Sequence, residues 1–252
     1  MSWRIHDAGE VLASFTRSSA TGLAFETPGG KAWDLVTTID DPVILNRGGG
    51  AFVALDASVV ESALRSLRAD LPSTGVIDIY LLPYPRRHLL DSSADDRGIY
   101  LSPGVYPGSP AQVHALVVHE LGHVVHRRLL PDEDGEGWNA YRRLRGIEDA
   151  SIYNERSAHR NRPHEIFAED FRVLFGGDLA NSTASIENRD LTWPGDVPGL
   201  ADFSSALSIA DRERMEVRPV PYRRGQQLTI RASISPAAVA PALNIFDLTG
   251  RQ

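Results

Sequence analysis

The chain has 252 residues, 42% of them apolar, and a formal net charge of −7. That supply of apolar residues suffices for a globular core, and an acidic balance with no basic block argues against nucleic acid as a partner. No apolar run approaches the ~20 residues of a membrane span. With no cysteine there is neither a disulfide nor a thiolate metal ligand.

The first sixty residues read as short strand-like runs between turns, such as Val11-Leu12-Ala13-Ser14-Phe15, with Gly29-Gly30 and Gly48-Gly49-Gly50 as turns. The triple glycine is no phosphate loop, because no Gly-Lys-Ser/Thr follows it. Asp56 to Ala69 has the spacing of an amphipathic helix, with Val59, Val60, Ala63, Leu64 and Leu67 on one side. Val76 to Pro83 reads as a strand, and Gly98 to Pro103 as a second, shorter one.

The segment from Pro110 to Arg128 then carries apolar residues at helical spacing. Proline opens it, two arginines suit its C-terminus and Pro131 stops it. Inside it stands His119-Glu120-Leu121-Gly122-His123, an HExxH motif. Histidines at i and i+4 share one helix face, so both imidazoles can bind one Zn2+ ion. Glu120 follows the first histidine and lies beside the metal, where it can take a proton from the attacking water. Histidines in an apolar helix need partners, and a metal is one.

The acidic run Pro131 to Glu136 reads as a solvated loop, and Trp138 to Ile147 as a helix. Pro163 to Phe175 is a further helix ended by Gly176-Gly177. Its Ile166, Phe167, Phe171, Leu174 and Phe175 form an apolar stripe, and Glu165, Glu169 and Arg172 share the opposite one. This helix can face the motif helix and present a carboxylate to the metal. A second carboxylate one turn on would then reach a ligand histidine's other N–H, which fixes the ring's tautomer. His114, His126 and His164 are not expected to be ligands; His126 stands near the site, but one helix rarely offers three ligands to a tetrahedral ion. Residues 181–200 are loop-rich. Leu228 to Ile234 and Leu243 to Leu248 look like strands.

His119-Glu120-x-x-His123, followed some forty residues later by Glu165-x-Phe167-Ala168-Glu169-x-Phe171, resembles the gluzincin metallopeptidases. Within them it is most similar to the catalytic domain of anthrax lethal factor and to the Pro-Pro endopeptidases. The resemblance covers the two motif helices and the segment between them. It implies Glu165 as third zinc ligand, Glu169 as the support of a ligand histidine, and a substrate-gripping edge strand just before the motif helix. In those relatives a tyrosine seven residues before the ligand glutamate steadies the oxyanion, and here that place holds Ala158. Tyr153 upstream is the favoured substitute, with His159 as the alternative. The ending Asn244 to Arg251 resembles FlgD-like and secretion-sorting β-sandwich domains, which implies a secreted or cell-surface bacterial protein.

The sequence therefore leads us to expect an α+β, zincin-like catalytic domain over residues 1–215 and a partial β segment over 216–252. The expected activity is Zn2+-dependent hydrolysis of a peptide or protein substrate, with His119, His123 and Glu165 as ligands and Glu120 as general base. The alternatives are a zinc hydrolase acting on a non-peptide amide and an inactive zincin-fold binding protein. Nothing in the sequence reads out an oligomeric state.

Overall fold

The computed structural model describes residues 2–20, 22–68 and 75–213. The fold is mixed α+β. Six helices accompany two small sheets among these residues: β1 (Ser2–His6), α1 (Ala8–Ser14), β2 (Thr16–Ser19), β3 (Gly22–Glu26), β4 (Ala32–Asp34), α2 (Ala57–Arg65), β5 (Val76–Leu81), β6 (Ser93–Ala94), β7 (Gly98–Leu101), α3 (Pro110–Leu129), α4 (Gly135–Arg145), α5 (Pro163–Phe175) and α6 (Leu200–Glu213). The strands expected after residue 228, and the sorting-type ending, lie outside the described residues. No helix among the described residues is long and apolar enough to cross a membrane.

The larger sheet has the order β1-β5-β7-β6. β1, β5 and β7 run parallel, and β6 pairs antiparallel with β7. Successive strand side chains point to opposite faces, and here they separate two cores. Ile77, Ile79, Leu81, Ile99 and Leu101 face the main core, which α2, α3 and α5 cover. Tyr80, Leu82 and Tyr100 face the other way, into a cluster with Val11, Phe25 and Leu35. The antiparallel sheet β2-β3-β4 supplies Phe25 to this second cluster.

Three elements depart from expectation. Val11 to Phe15 is not a strand, because Val11 to Ser14 lie in α1 and Phe15 is its C-cap. The Asp7 side chain accepts a hydrogen bond from the Glu10 N–H at 2.8 Å and caps that helix, and only Val11 within it is buried. Capping decides this segment, which has no two-residue alternation to hold it in a sheet. β7 is not an edge strand, because β6 covers it and takes the edge itself. β6 has only two residues, too few to leave a sequence signal. α4 begins at Gly135, inside the acidic run, because Asp134 accepts from the Gly137 N–H at 2.8 Å and caps it. It ends on Gly146, whose φ of 73° is the left-handed conformation that favours glycine.

The motif helix α3 is bounded by local chemistry. Ser109 and Gln112 form a reciprocal capping box, Pro110 opens the first turn, and the last turn carries His126, Arg127 and Arg128. Its partner α5 starts at Pro163 and stops at Gly176. α3 and α5 approach closely at Gly122. A Cβ there would sit 2.8 Å from Ala168 Cα and 3.0 Å from its carbonyl oxygen.

Candidate metal centre

The α3–α5 contact brings His119, His123 and Glu165 together, with one potential ligand atom from each within 4.8 Å of the others. Glu165 Oε2 lies 3.2 Å from His119 Nε2 and 3.1 Å from His123 Nε2. A tetrahedral zinc with bonds of about 2.0–2.1 Å separates its ligands by about 3.3–3.4 Å. The two separations from Glu165 thus stand close to the spacing such an ion needs. Two imidazoles and a carboxylate are also a donor set that zinc accepts.

Electrostatics favour positive charge at this point. Burial works against a charged His119, but Glu165 and Glu169 outweigh it and push its pKa up to about 10. Burial likewise disfavours ionised Glu165, yet hydrogen bonds from His119, His123 and His164 hold its pKa far below the usual carboxylate range. A metal cation in this place would answer the same two carboxylates.

The far side of His119 is held as well. Its Nδ1 lies 3.0 Å from Glu169 Oε1. Glu169 also accepts two hydrogen bonds from Arg172, at 3.0 and 2.9 Å. Burial raises the Glu169 pKa, but His119 and Arg172 bring it down to about 2. Arg172 is buried and donates onward to the carbonyl oxygens of Ala180 and Ser185, each at 2.7 Å. A chain of charged hydrogen bonds thus fixes the ring that would present Nε2 to a metal.

Glu120 is 5% exposed, and its Oε2 has no hydrogen-bond partner. Burial pushes its pKa up to about 7, while His119 and Arg86 pull it down. An orphaned carboxylate oxygen beside the two histidines is what a water-activating base looks like before its water is supplied. Arg86 is itself buried, with its guanidinium 5.6 Å from the Trp33 ring centre and 5.4 Å from that of Tyr100. It donates to the Asp91 carbonyl at 2.9 Å.

The centre opens into a cleft of about 1080 Å³. One face of α3 lines it, as do Ser93 and Ala94 of the edge strand, the loop between β7 and α3, and the start of α5. His159 is in this lining, with Nε2 3.3 Å from Glu165 Oε1 and Nδ1 2.8 Å from Glu187 Oε2. His164 is there too, with its Nε2 3.3 Å from the same Glu165 oxygen.

Tyr153 is not brought to this site. It packs half-buried against the main core and does not line the cleft. Its backbone N–H closes a turn onto the Asp149 carbonyl at 2.8 Å. His126 and His114 are buried within α3 and hold no place in the metal group. The sequence signal that could have announced Gly122 as a packing residue is its mid-helix position, which costs about 1 kcal/mol relative to alanine and needs a reason. Nothing in the sequence announces Arg86.

No family model, no curated protein and no solved structure matches the chain. What the site can do is read from its own geometry.

Proposed function

We propose that the chain is a zinc metallopeptidase of zincin-like, gluzincin type. The observation that carries this reading is the convergence of His119, His123 and Glu165 beside the unpartnered Oε2 of Glu120. His119 and His123 from α3 and Glu165 from α5 would hold the ion. When bound, zinc supplies Lewis acidity to the scissile carbonyl and to the attacking water.

The chain's own groups do the rest. Glu120 accepts the proton of the attacking water and returns it to the leaving amine. Glu169 keeps the His119 Nδ1–H in place. We assign the second oxyanion donor to His159, because it lines the cleft and Tyr153 does not. The outer side of β6 offers backbone groups to an extended peptide, and this supports a peptide over other amides.

The test combines metal analysis with one substitution. Protein purified without chelator should carry about one zinc per chain. Glu120→Gln should keep that zinc while peptide hydrolysis falls by at least ~100-fold. A chain that takes up no zinc, or a Glu120→Gln variant with full turnover, overturns the reading. His159→Ala should lower turnover ~10²-fold, and Tyr153→Phe should leave it unchanged.

A further inference from the structure

The cleft is not uniform along its length. Gln112, Leu116, His119, Glu120, His123 and Arg127 all line it, and their spacing of three and four residues is one face of α3. This helix face forms the cleft floor, with the metal group in the middle and a different chemistry at each end.

Where α3 begins, the lining carries exposed apolar side chains among polar ones. Leu116 is joined there by Leu89 and Tyr106, which are 44% and 61% exposed. Exposed apolar side chains gathered around a cleft mark a binding surface. Where α3 ends, the lining is cationic. Arg127 stands one turn beyond His123, and Arg162 stands at the start of α5. Neither has a carboxylate partner among the described residues. Arg162 donates from Nε to the Ser157 carbonyl at 3.2 Å, which leaves its two terminal nitrogens unpaired.

The acids of the lining do not cancel these charges. Glu165 belongs to the metal group and Glu120 stands beside it. Asp91 belongs to the other end, because its carbonyl is tied to Ser102 Oγ at 3.1 Å, just past the end of β7. The opposite end of β7 is marked by Arg128, which follows Arg127 and donates to the Asp96 carbonyl at 2.6 Å. A helix rises 1.5 Å per residue, so Leu116 and Arg127 are about 16 Å apart along the floor. An extended peptide rises about 3.3 Å per residue, so side chains four to five residues apart span about 13–16 Å.

We propose that the cleft selects an extended peptide segment with an apolar side chain at the α3-start end and an acidic side chain about four residues away, at Arg127 and Arg162. This rests on the peptidase reading for cleavage but not for binding, and the test separates the two. Zinc-loaded Glu120→Gln protein is titrated with fluorescent ten-residue peptides that carry Leu and, four residues away in either direction, Glu or Lys. The Glu peptide of one orientation should bind at least tenfold more tightly than its Lys counterpart. Arg127→Glu, at an exposed position, should abolish or invert that preference, and Arg162→Gln should reduce it. Equal affinity for Glu and Lys peptides overturns the inference, as does an unchanged preference in Arg127→Glu or the absence of binding by any peptide. Wild-type protein is then given the same peptides. Charge-selective binding without cleavage of any peptide overturns the peptidase reading and leaves the cleft assignment standing. Cleavage without charge preference does the reverse.

Discussion

Glu169 and Asp170 are neighbours on α5, and they face opposite ways. Glu169 points toward α3, where His119 and Arg172 hold its pKa down to about 2. Asp170 points toward α4, where it accepts from Tyr141 at 2.8 Å and from Arg145 Nε at 2.9 Å. Burial pushes the Asp170 pKa up to about 6, against the pull of those two donors. The first carboxylate is half-buried behind His119 and the second is 2% exposed. Both are salt-bridged, so ion pairing alone does not set the state of a carboxylate. What differs is how much water each one loses and how many donors replace it.

The comparison assigns the two faces different work. The Glu169 face holds the His119 ring. The Asp170 face ties α4 to α5, behind the α3–α5 pair. Arg145 leaves two of its nitrogens without partners even in the intact network. Removing Asp170 would strand the whole guanidinium in the core.

The strongest way to break this division is therefore Asp170→Ala. It should destabilise the fold by about 3–5 kcal/mol, as expected when one partner of a buried pair is removed, and denaturant unfolding measures it. Glu169→Gln should do the opposite kind of damage. Zinc affinity should fall about 10–100-fold, read by chelator competition, with a smaller change in unfolding. Equal losses of stability in both variants would erase the distinction.

A pH series sharpens the comparison further. The folded pKa of Asp170 lies above the ordinary value near 3.9, so the folded chain holds this proton more tightly than the unfolded chain. Its contribution to stability is present at low pH and is lost as pH rises through about 6. Between pH 4.5 and 6.5 wild type should lose about 2 kcal/mol relative to Asp170→Asn. The slope of that difference is the readout, because it does not depend on what the substitution costs at one pH. A flat difference would mean that Arg145 and Tyr141 fully offset the burial. The smallest effect expected is that of Tyr141→Phe. It removes one hydrogen bond and keeps the ring, so it should cost about 1 kcal/mol in unfolding.

Much of the helical framework was legible because its signals are local. Pro110 and Pro163 open the two metal-site helices, and glycine or proline closes them, as the sequence pattern indicated. The placement of His119 over His123 follows from the helical repeat alone. The family resemblance singled out Glu165 and Glu169, and in the structure each lies by the histidine nitrogens that role requires. Asp7 and Asp134 were legible in principle as helix caps, but an apolar run and an acidic run masked them.

What only the tertiary structure decided depends on pairs of residues distant in sequence. No local pattern brings Ala168 against Gly122, and that contact sets how close Glu165 comes to the histidines. None indicates that Arg86 lies buried over the Trp33 and Tyr100 rings, or that the two residues of β6 take the sheet edge from β7. Tyr153 and His159 illustrate the same limit. Both are donors a few residues before α5, and only the folded chain places His159 in the cleft and Tyr153 against the core. The sequence by itself determined the chemistry available on each helix, because side-chain type and a 3.6-residue period are local properties. Tertiary packing decided which of those side chains share a site, because that depends on how the helices and the sheet edge close on one another.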